Sequence, residues 1–149
     1  MANQQSLHVF TIGYQSHTLE SMVGLLESNR VQLLIDVRQN PISRKKGFSG
    51  RQLKESVRKS GIAYLHIPEL GTPASIRKAY AATGNIDRAL NQYEIYLRRR
   101  PNTLKTLLLQ AQSKSFCLLC LEANHKACHR SIITQLLTEM TGCRPIHLH

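Results

Sequence analysis

The sequence predicts an α/β protein: a three-layer sandwich with a mainly parallel sheet of about five strands, helices on both faces, and one domain over residues 1–149. Three observations carry this expectation. Short apolar, β-rich segments alternate with amphipathic helical stripes along the chain. The connections between them are short. No repeat, low-complexity tract or linker breaks the alternation. At 149 residues, a single domain buries roughly 68–70% of the surface of its unfolded chain, so a core forms without covalent staples.

Residues 8–14 (HVFTIGY) read as a short strand, and Leu19, Met22, Val23 and Leu26 then recur at the i, i+3, i+4, i+7 spacing of an amphipathic helix. Residues 31–37 (VQLLIDV) form a near-continuous apolar run of the kind buried in parallel sheets. A polar loop over 38–49 follows, then a helix opened by Ser49, whose spacing to Gln52 fits a capping box, with Leu53 and Val57 inward and Gly61 as its terminator. Residues 62–67 (IAYLHI) give a third strand leading into PELGTP. A short helix fits 74–84, and a firmer one carries Ile86, Leu90, Tyr93 and Leu97, ending in three arginines beside Pro101. Leu104, Leu107, Leu108 and Ala111 mark the next helix, and 115–121 (SFCLLCL) the most apolar strand. Ile132, Ile133, Leu136, Leu137 and Met140 form a last helical stripe closed by Gly142, before a strand at 145–148.

Composition narrows the function classes. With 42% hydrophobic and 19% charged residues, the chain is neither disordered nor collagen-like nor a coiled coil. No apolar run approaches the ~20 residues of a membrane span, so no membrane partner is expected. The first residues lack a basic, apolar leader, which makes the cytoplasm the expected location. In that reducing setting Cys117, Cys120, Cys128 and Cys143 are thiols, metal ligands or reactive groups rather than a disulfide framework. The net charge of +11 points to an anionic partner, a small molecule or a nucleic acid, and says nothing about reaction type.

Ligands of open parallel sheets bind beyond the carboxyl ends of the strands, and the segments after these strands are rich in functional groups. They bring Gly13-Tyr14; Asp36, Arg38, Pro41, Ser43 and Arg44; Glu69-Leu70-Gly71; and Cys120, Glu122, Cys128, His129 and Arg130. Asp36 and Arg38, two apart on a strand, share a face and form either an ion pair or a joint grip on a ligand. The loop carrying Arg38, Ser43, Arg44, Lys45 and Lys46 suits phosphate, or is simply a solvated basic loop. Tyr14, Phe48 and Tyr64 are stacking candidates for which packing is the competing role.

Residues 117–130 (CLLCLEANHKACHR) invite a zinc reading, but Cys117 and Cys120 are three apart on a strand and point to opposite faces. Cys120, His125, Cys128 and His129 are the least strained metal set, and no cofactor is otherwise called for. Cys128-His129-Arg130-Ser131 falls at the first turn of the last helix, where free N–H groups and a nearby Arg favour thiolate. Cys128 is therefore the candidate nucleophile and Cys120 its rival. Glu122 is a candidate acid or base, or an anchor for Arg130. His129 shares the apolar stripe and reads as a core-facing, hydrogen-bonded imidazole rather than a general base.

TIGY, LIDVRQNPISRKKGFS, GIAYLHIPELG and CLLCLEANHKACHR, in this order over nearly the whole chain, resemble the family known as domain of unknown function 488. The resemblance implies a small α/β protein without a settled activity. Its signature positions fall on Gly13, Tyr14, Asp36, Arg38, Pro41, Ser43, Arg44, Glu69, Gly71, Cys120, Glu122, Cys128, His129 and Arg130. DVR is also similar to rhodaneses, and a Cys and Arg at a strand-to-helix turn to Cys-x5-Arg phosphatases. Cys120 and Arg130 enclose nine residues and Cys128 and Arg130 one, so neither cradle can be built.

The leading expectation is a sheet edge that binds an anionic ligand through Arg38, Arg44 and Arg130, with Cys128 or Cys120 and Glu122 as chemical groups. Its rivals are a non-catalytic nucleic-acid binding module and a metal site on the Cys/His segment.

Overall fold

The computed structural model describes residues 7–149, so the reading of a leader on the first residues lies mostly outside the described range. Five strands, β1 (Val9–Gly13), β2 (Leu33–Asp36), β3 (Ala63–His66), β4 (Phe116–Cys120) and β5 (Ile146–Leu148), build one sheet in the order β3-β2-β4-β1-β5. Every pairing is parallel, a stricter outcome than the mainly parallel sheet expected. Six helices accompany it: α1 (Leu19–Ser28), α2 (Gly50–Lys59), α3 (Ala74–Thr83), α4 (Ile86–Arg98), α5 (Pro101–Ala111) and α6 (Arg130–Thr141).

The period-2 alternation of strand side chains sorts the core into two layers. Phe116, Leu118 and Cys120 of β4 pack with Tyr93, Leu104 and Ile133 from α4, α5 and α6, and α3 adds Ile76. Cys117 and Leu119 face the other way, among Met22 and Leu26 of α1 and Leu53 and Val57 of α2. Both faces are thus covered, and β1, β2 and β4 are buried along their whole length, which is why they read as continuous apolar runs.

Strand order fixes where a ligand can go. From β1 to β2 to β3 the chain steps in one direction, with α1 and α2 on one face; from β3 to β4 to β5 it steps back, with α3 to α6 on the other. The chain leaving β4 therefore departs over the opposite face from those leaving β1 and β2 on either side of it. That divergence opens a crevice beyond the carboxyl end of β4, the switch point of the sheet.

Local signals differ from expectation in three places. Ser49 does precede α2, but its hydroxyl makes no cap: it donates to Ser43 O at 3.2 Å and accepts from Ser43 N–H at 3.1 Å, tying the basic loop shut. The capping box sits instead on α1, between Thr18 and Ser21, with both reciprocal bonds at 3.0 Å. Helix α6 starts at Arg130 with His129 as its N-cap, so Cys128 lies just before the helix, after a single turn over His125–Ala127. Gly142 closes α6 at φ +75°, the left-handed stop its position suggested. Among the described residues no helix is long and apolar enough to cross a membrane.

Candidate functional site

Strand β4 delivers Cys120 to the switch point, and the following segment folds back so that Cys128 and His129 stand beside it. Gly13 permits this: a Cβ there would lie 1.7 Å from Glu122 O, so the end of β1 and the Glu122 backbone touch directly. Gln15 N–H donates to Leu121 O at 2.9 Å, and Arg130 Nη2 donates to the same Glu122 O at 2.5 Å. The loop is thereby pinned from two sides.

Cys120 Sγ donates to Glu122 Oε2 at 3.3 Å, and Cys128 Sγ lies 3.6 Å from His129 Nδ1 and accepts from Arg130 N–H at 3.5 Å. His129 Nε2 lies 2.9 Å from Val37 O, a carbonyl that can only accept, so Nε2 carries a proton and Nδ1 is the ring nitrogen turned toward Cys128. Its edge rests on Tyr93, with ring centroids 5.3 Å apart. One donor atom from each of Cys120, Glu122, Cys128 and His129 lies within 4.8 Å of every other.

The electrostatics divide the two thiols. Burial opposes ionisation of Cys128, but the Cys120 thiol, His129 and Arg130 outweigh it and hold its pKa well below the ordinary thiol value. Burial, together with the Cys128 thiolate, pushes Cys120 well above that value. Burial and the same thiolate also raise Glu122, whereas the His129 pKa is raised because the thiolate outweighs the cost of burying an imidazolium. Cys117, on the other face of β4, is pushed up by burial alone in an apolar layer and takes no part.

A second constellation adjoins the first. Arg38 Nε and Nη2 grip Asp36 Oδ1 and Oδ2 at 2.8 and 2.7 Å, Tyr64 OH donates to Oδ2 at 2.6 Å, and Arg38 Nη1 donates to Tyr14 OH at 3.2 Å. The choice between ion pair and ligand grip thus falls first to the ion pair: Asp36 is fully buried and Arg38 is 8% exposed. Tyr14 stacks on Phe48 at 4.6 Å, and Tyr64 serves Asp36, so all three aromatic candidates have packing or hydrogen-bonding roles.

A cleft of about 260 Å³ lies over this edge. Tyr14, Arg38, Cys120, Glu122, Cys128 and His129 line it. Asp36 stands behind Arg38. Arg130 is 1% exposed and lies outside the lining, its Nη1 on Thr11 Oγ1 at 2.9 Å, Nη2 on Glu122 O, and Nε without a partner. Its anchor on Glu122 is the carbonyl, not the carboxylate. Ser43, Arg44 and Glu69 also stay outside: Ser43 Oγ accepts from Lys45 N–H, Arg44 is exposed, and Glu69 is exposed with only its carbonyl engaged, by Tyr96 OH. The expected grip by Arg38, Arg44 and Arg130 together is therefore not assembled in this cleft. The metal set changes by one member: His125 is stacked on His147 at 3.5 Å, and Glu122 takes its place.

Gln39, Arg77, Tyr80 and Tyr93 line the cleft without having been expected there. Arg77 and Tyr80 lie on α3, whose stripe is too weak to orient from sequence, with Ile76 its one buried residue. Arg77 Nη2 donates to Gln39 Oε1 at 2.7 Å and its Nε to Thr72 O at 3.1 Å, and among the described residues it forms no ion pair with a carboxylate. Tyr93 reads as core from its stripe and is; its OH donates to Leu70 O at 2.5 Å, and its ring also faces the cleft.

Fold and site together define a doubly wound α/β protein with a polar, thiol-bearing centre at its switch point. The chain belongs to the family described as Domain of unknown function DUF488, whose model matches residues 18–137. No curated protein and no solved structure matches it.

Proposed function

We propose that the cleft binds a small anionic ligand, a nucleotide or another phosphorylated compound, and that thiol-dependent chemistry at its floor acts on that ligand. One observation carries this reading: a cleft lies at the switch point, with cationic groups on its wall and Cys120 and Cys128 in its lining. Arg77 offers an uncompensated charge. Arg38 makes three side-chain bonds, which leaves two of its five N–H donors for a ligand. Tyr80, Ile76 and Leu90 supply the apolar and aromatic wall on which a base or ring rests. The thiolate of Cys128 is the chemically active form of the floor. Free thiols among the described residues suit a reducing, cytoplasmic setting.

Calorimetry against inorganic phosphate, mononucleotides and sugar phosphates tests the reading. We expect saturable binding by at least one, weakened about tenfold or more by Arg77→Ala, which removes a charge-assisted contact from an exposed helix. Silence across the panel, or affinity indifferent to Arg77→Ala, overturns it. The net charge of +11 favours a nucleic-acid module as the second reading. Oligonucleotide binding that falls steeply on a log–log salt plot and ignores Arg77→Ala would put that reading first.

A further inference from the structure

We infer that Cys120, Glu122, Cys128 and His129 form a binding site for a divalent, thiolate-selecting metal ion, zinc in the first instance, at the floor of the cleft. The inference deepens the proposed reading, since a cation there faces an anionic ligand, but it stands on geometry of its own.

Zinc bonds of about 2.3 Å to sulfur and about 2.0–2.1 Å to nitrogen or oxygen imply tetrahedral edges of roughly 3.8 Å between two sulfurs and roughly 3.5 Å between sulfur and nitrogen or oxygen. The protein shows 3.6 Å from Cys128 Sγ to His129 Nδ1 and 3.3 Å from Cys120 Sγ to Glu122 Oε2, within a group no wider than 4.8 Å. The two sulfur-to-nitrogen and sulfur-to-oxygen edges are thus close to those of a tetrahedral site, and the remaining ones lie within 4.8 Å, so small rotations of the side chains close the set around an ion.

The imidazole is prepared for the task. Nε2 is committed to Val37 O at 2.9 Å, which fixes the tautomer and leaves the Nδ1 lone pair toward the thiols, the outer contact that ligating histidines make. Two thiolates, one carboxylate and a divalent ion sum to −1, and the buried Arg130 beside both cysteines supplies the opposite charge. Two sulfurs, one imidazole and one carboxylate select zinc over magnesium or calcium, which prefer all-oxygen shells. Binding replaces the thiol protons with the ion and releases them to buffer, with no change of oxidation state. Glu122 lies outside the strand and in the cleft lining, which makes it the ligand that an incoming anion displaces.

The test uses the full chain, held in a non-thiol reductant, stripped with chelator and titrated with Co²⁺ and then Zn²⁺. We expect one equivalent of Co²⁺ with a thiolate-to-cobalt charge-transfer band, bleached by one equivalent of Zn²⁺. Cys120→Ser and Cys128→Ser should each weaken zinc binding by more than about 100-fold, beyond what loss of an outer-shell contact costs. Cys117→Ser and Cys143→Ser should leave it unchanged. If the serine variants do not fold, alkylation of the parent decides: Zn²⁺ should protect Cys120 and Cys128 and leave Cys143 labelled. Absence of the band in folded protein, a band that survives both key substitutions, or equal labelling with and without Zn²⁺ overturns the inference. Metal binding without any ligand from the phosphate panel sinks the anion reading alone; ligand binding to a protein that takes no metal sinks only this one.

Discussion

Asp36 shows how much one residue can organise. Its carboxylate accepts from Arg38 Nε and Nη2, from Arg38 N–H at 3.2 Å and from Tyr64 OH, in a place with no access to water. Burial and the carboxylate together push the Tyr64 hydroxyl above its ordinary range, so it stays a donor at every physiological pH. Asp36→Ala strands the Arg38 charge and should cost about 3–5 kcal/mol in urea unfolding. Tyr64→Phe removes one charge-assisted bond at a half-buried position and should cost about 1.5 kcal/mol. If the two changes cost the same, the ion pair is not what the carboxylate serves. Gly13 is the companion case. Gly13→Ala drives a Cβ into Glu122 O and should cost about 1–3 kcal/mol in urea unfolding; an unchanged midpoint in that variant would contradict the contact. Asp36 and Arg38 were legible because a strand's period puts them on one face. The need for Gly13 was not, because its close neighbour lies over a hundred residues away and only the fold brings it there.

At the scale of elements, the apolar runs of β2 and β4 and the stripes of α1, α4, α5 and α6 announced themselves because buried surface imposes a period. Helix α3, with one buried residue, imposed none, and the cleft wall it carries went unseen for that reason. Edge strand β5 makes a different kind of contribution. Arg130 Nη1 donates to Thr11 Oγ1, so the one hydroxyl proton of Thr11 is left for His147 Nδ1 at 2.6 Å. That chain of donors requires neutral His147. Burial first, then His125 stacked on it and Arg130 behind it, depress its pKa to about 4. An unfolded histidine titrates near 6.5, so the unfolded chain takes up the proton first. The stability due to this residue is therefore complete above pH 6.5 and is lost as pH falls from 6.5 toward 4. His129 and Glu122, both raised, act in the opposite sense, so the readout is a difference. Denaturant midpoints should fall less steeply across that window in His147→Gln than in the parent; identical slopes would mean that β5 is not held by a neutral imidazole.

For the molecule as a whole, 20 basic residues face 9 acidic ones, and the described residues hold three ion pairs. One of these, Arg38 with Asp36, is buried and little affected by screening; the other two share the exposed Arg98, bound to Glu94 and Glu139, and surface pairs of this kind contribute about 0–1 kcal/mol. Repulsion among the remaining cations opposes the compact state. Salt shortens the screening length from about 30 Å at 0.01 M to about 10 Å at 0.1 M and about 3 Å at 1 M, which weakens long-range repulsion before it weakens contacts within 4 Å. The protein should therefore melt at a higher temperature in 0.5 M KCl than at low salt, by roughly 2–5 °C if the relief is about 1 kcal/mol. Stabilisation by screening belongs to the whole surface, so Arg77→Ala should show nearly the same increment with chloride. Stabilisation by phosphate at equal ionic strength should exceed it, and that excess alone should shrink in Arg77→Ala. A melting temperature that falls with chloride would mean that local ion pairs, not net charge, govern the surface.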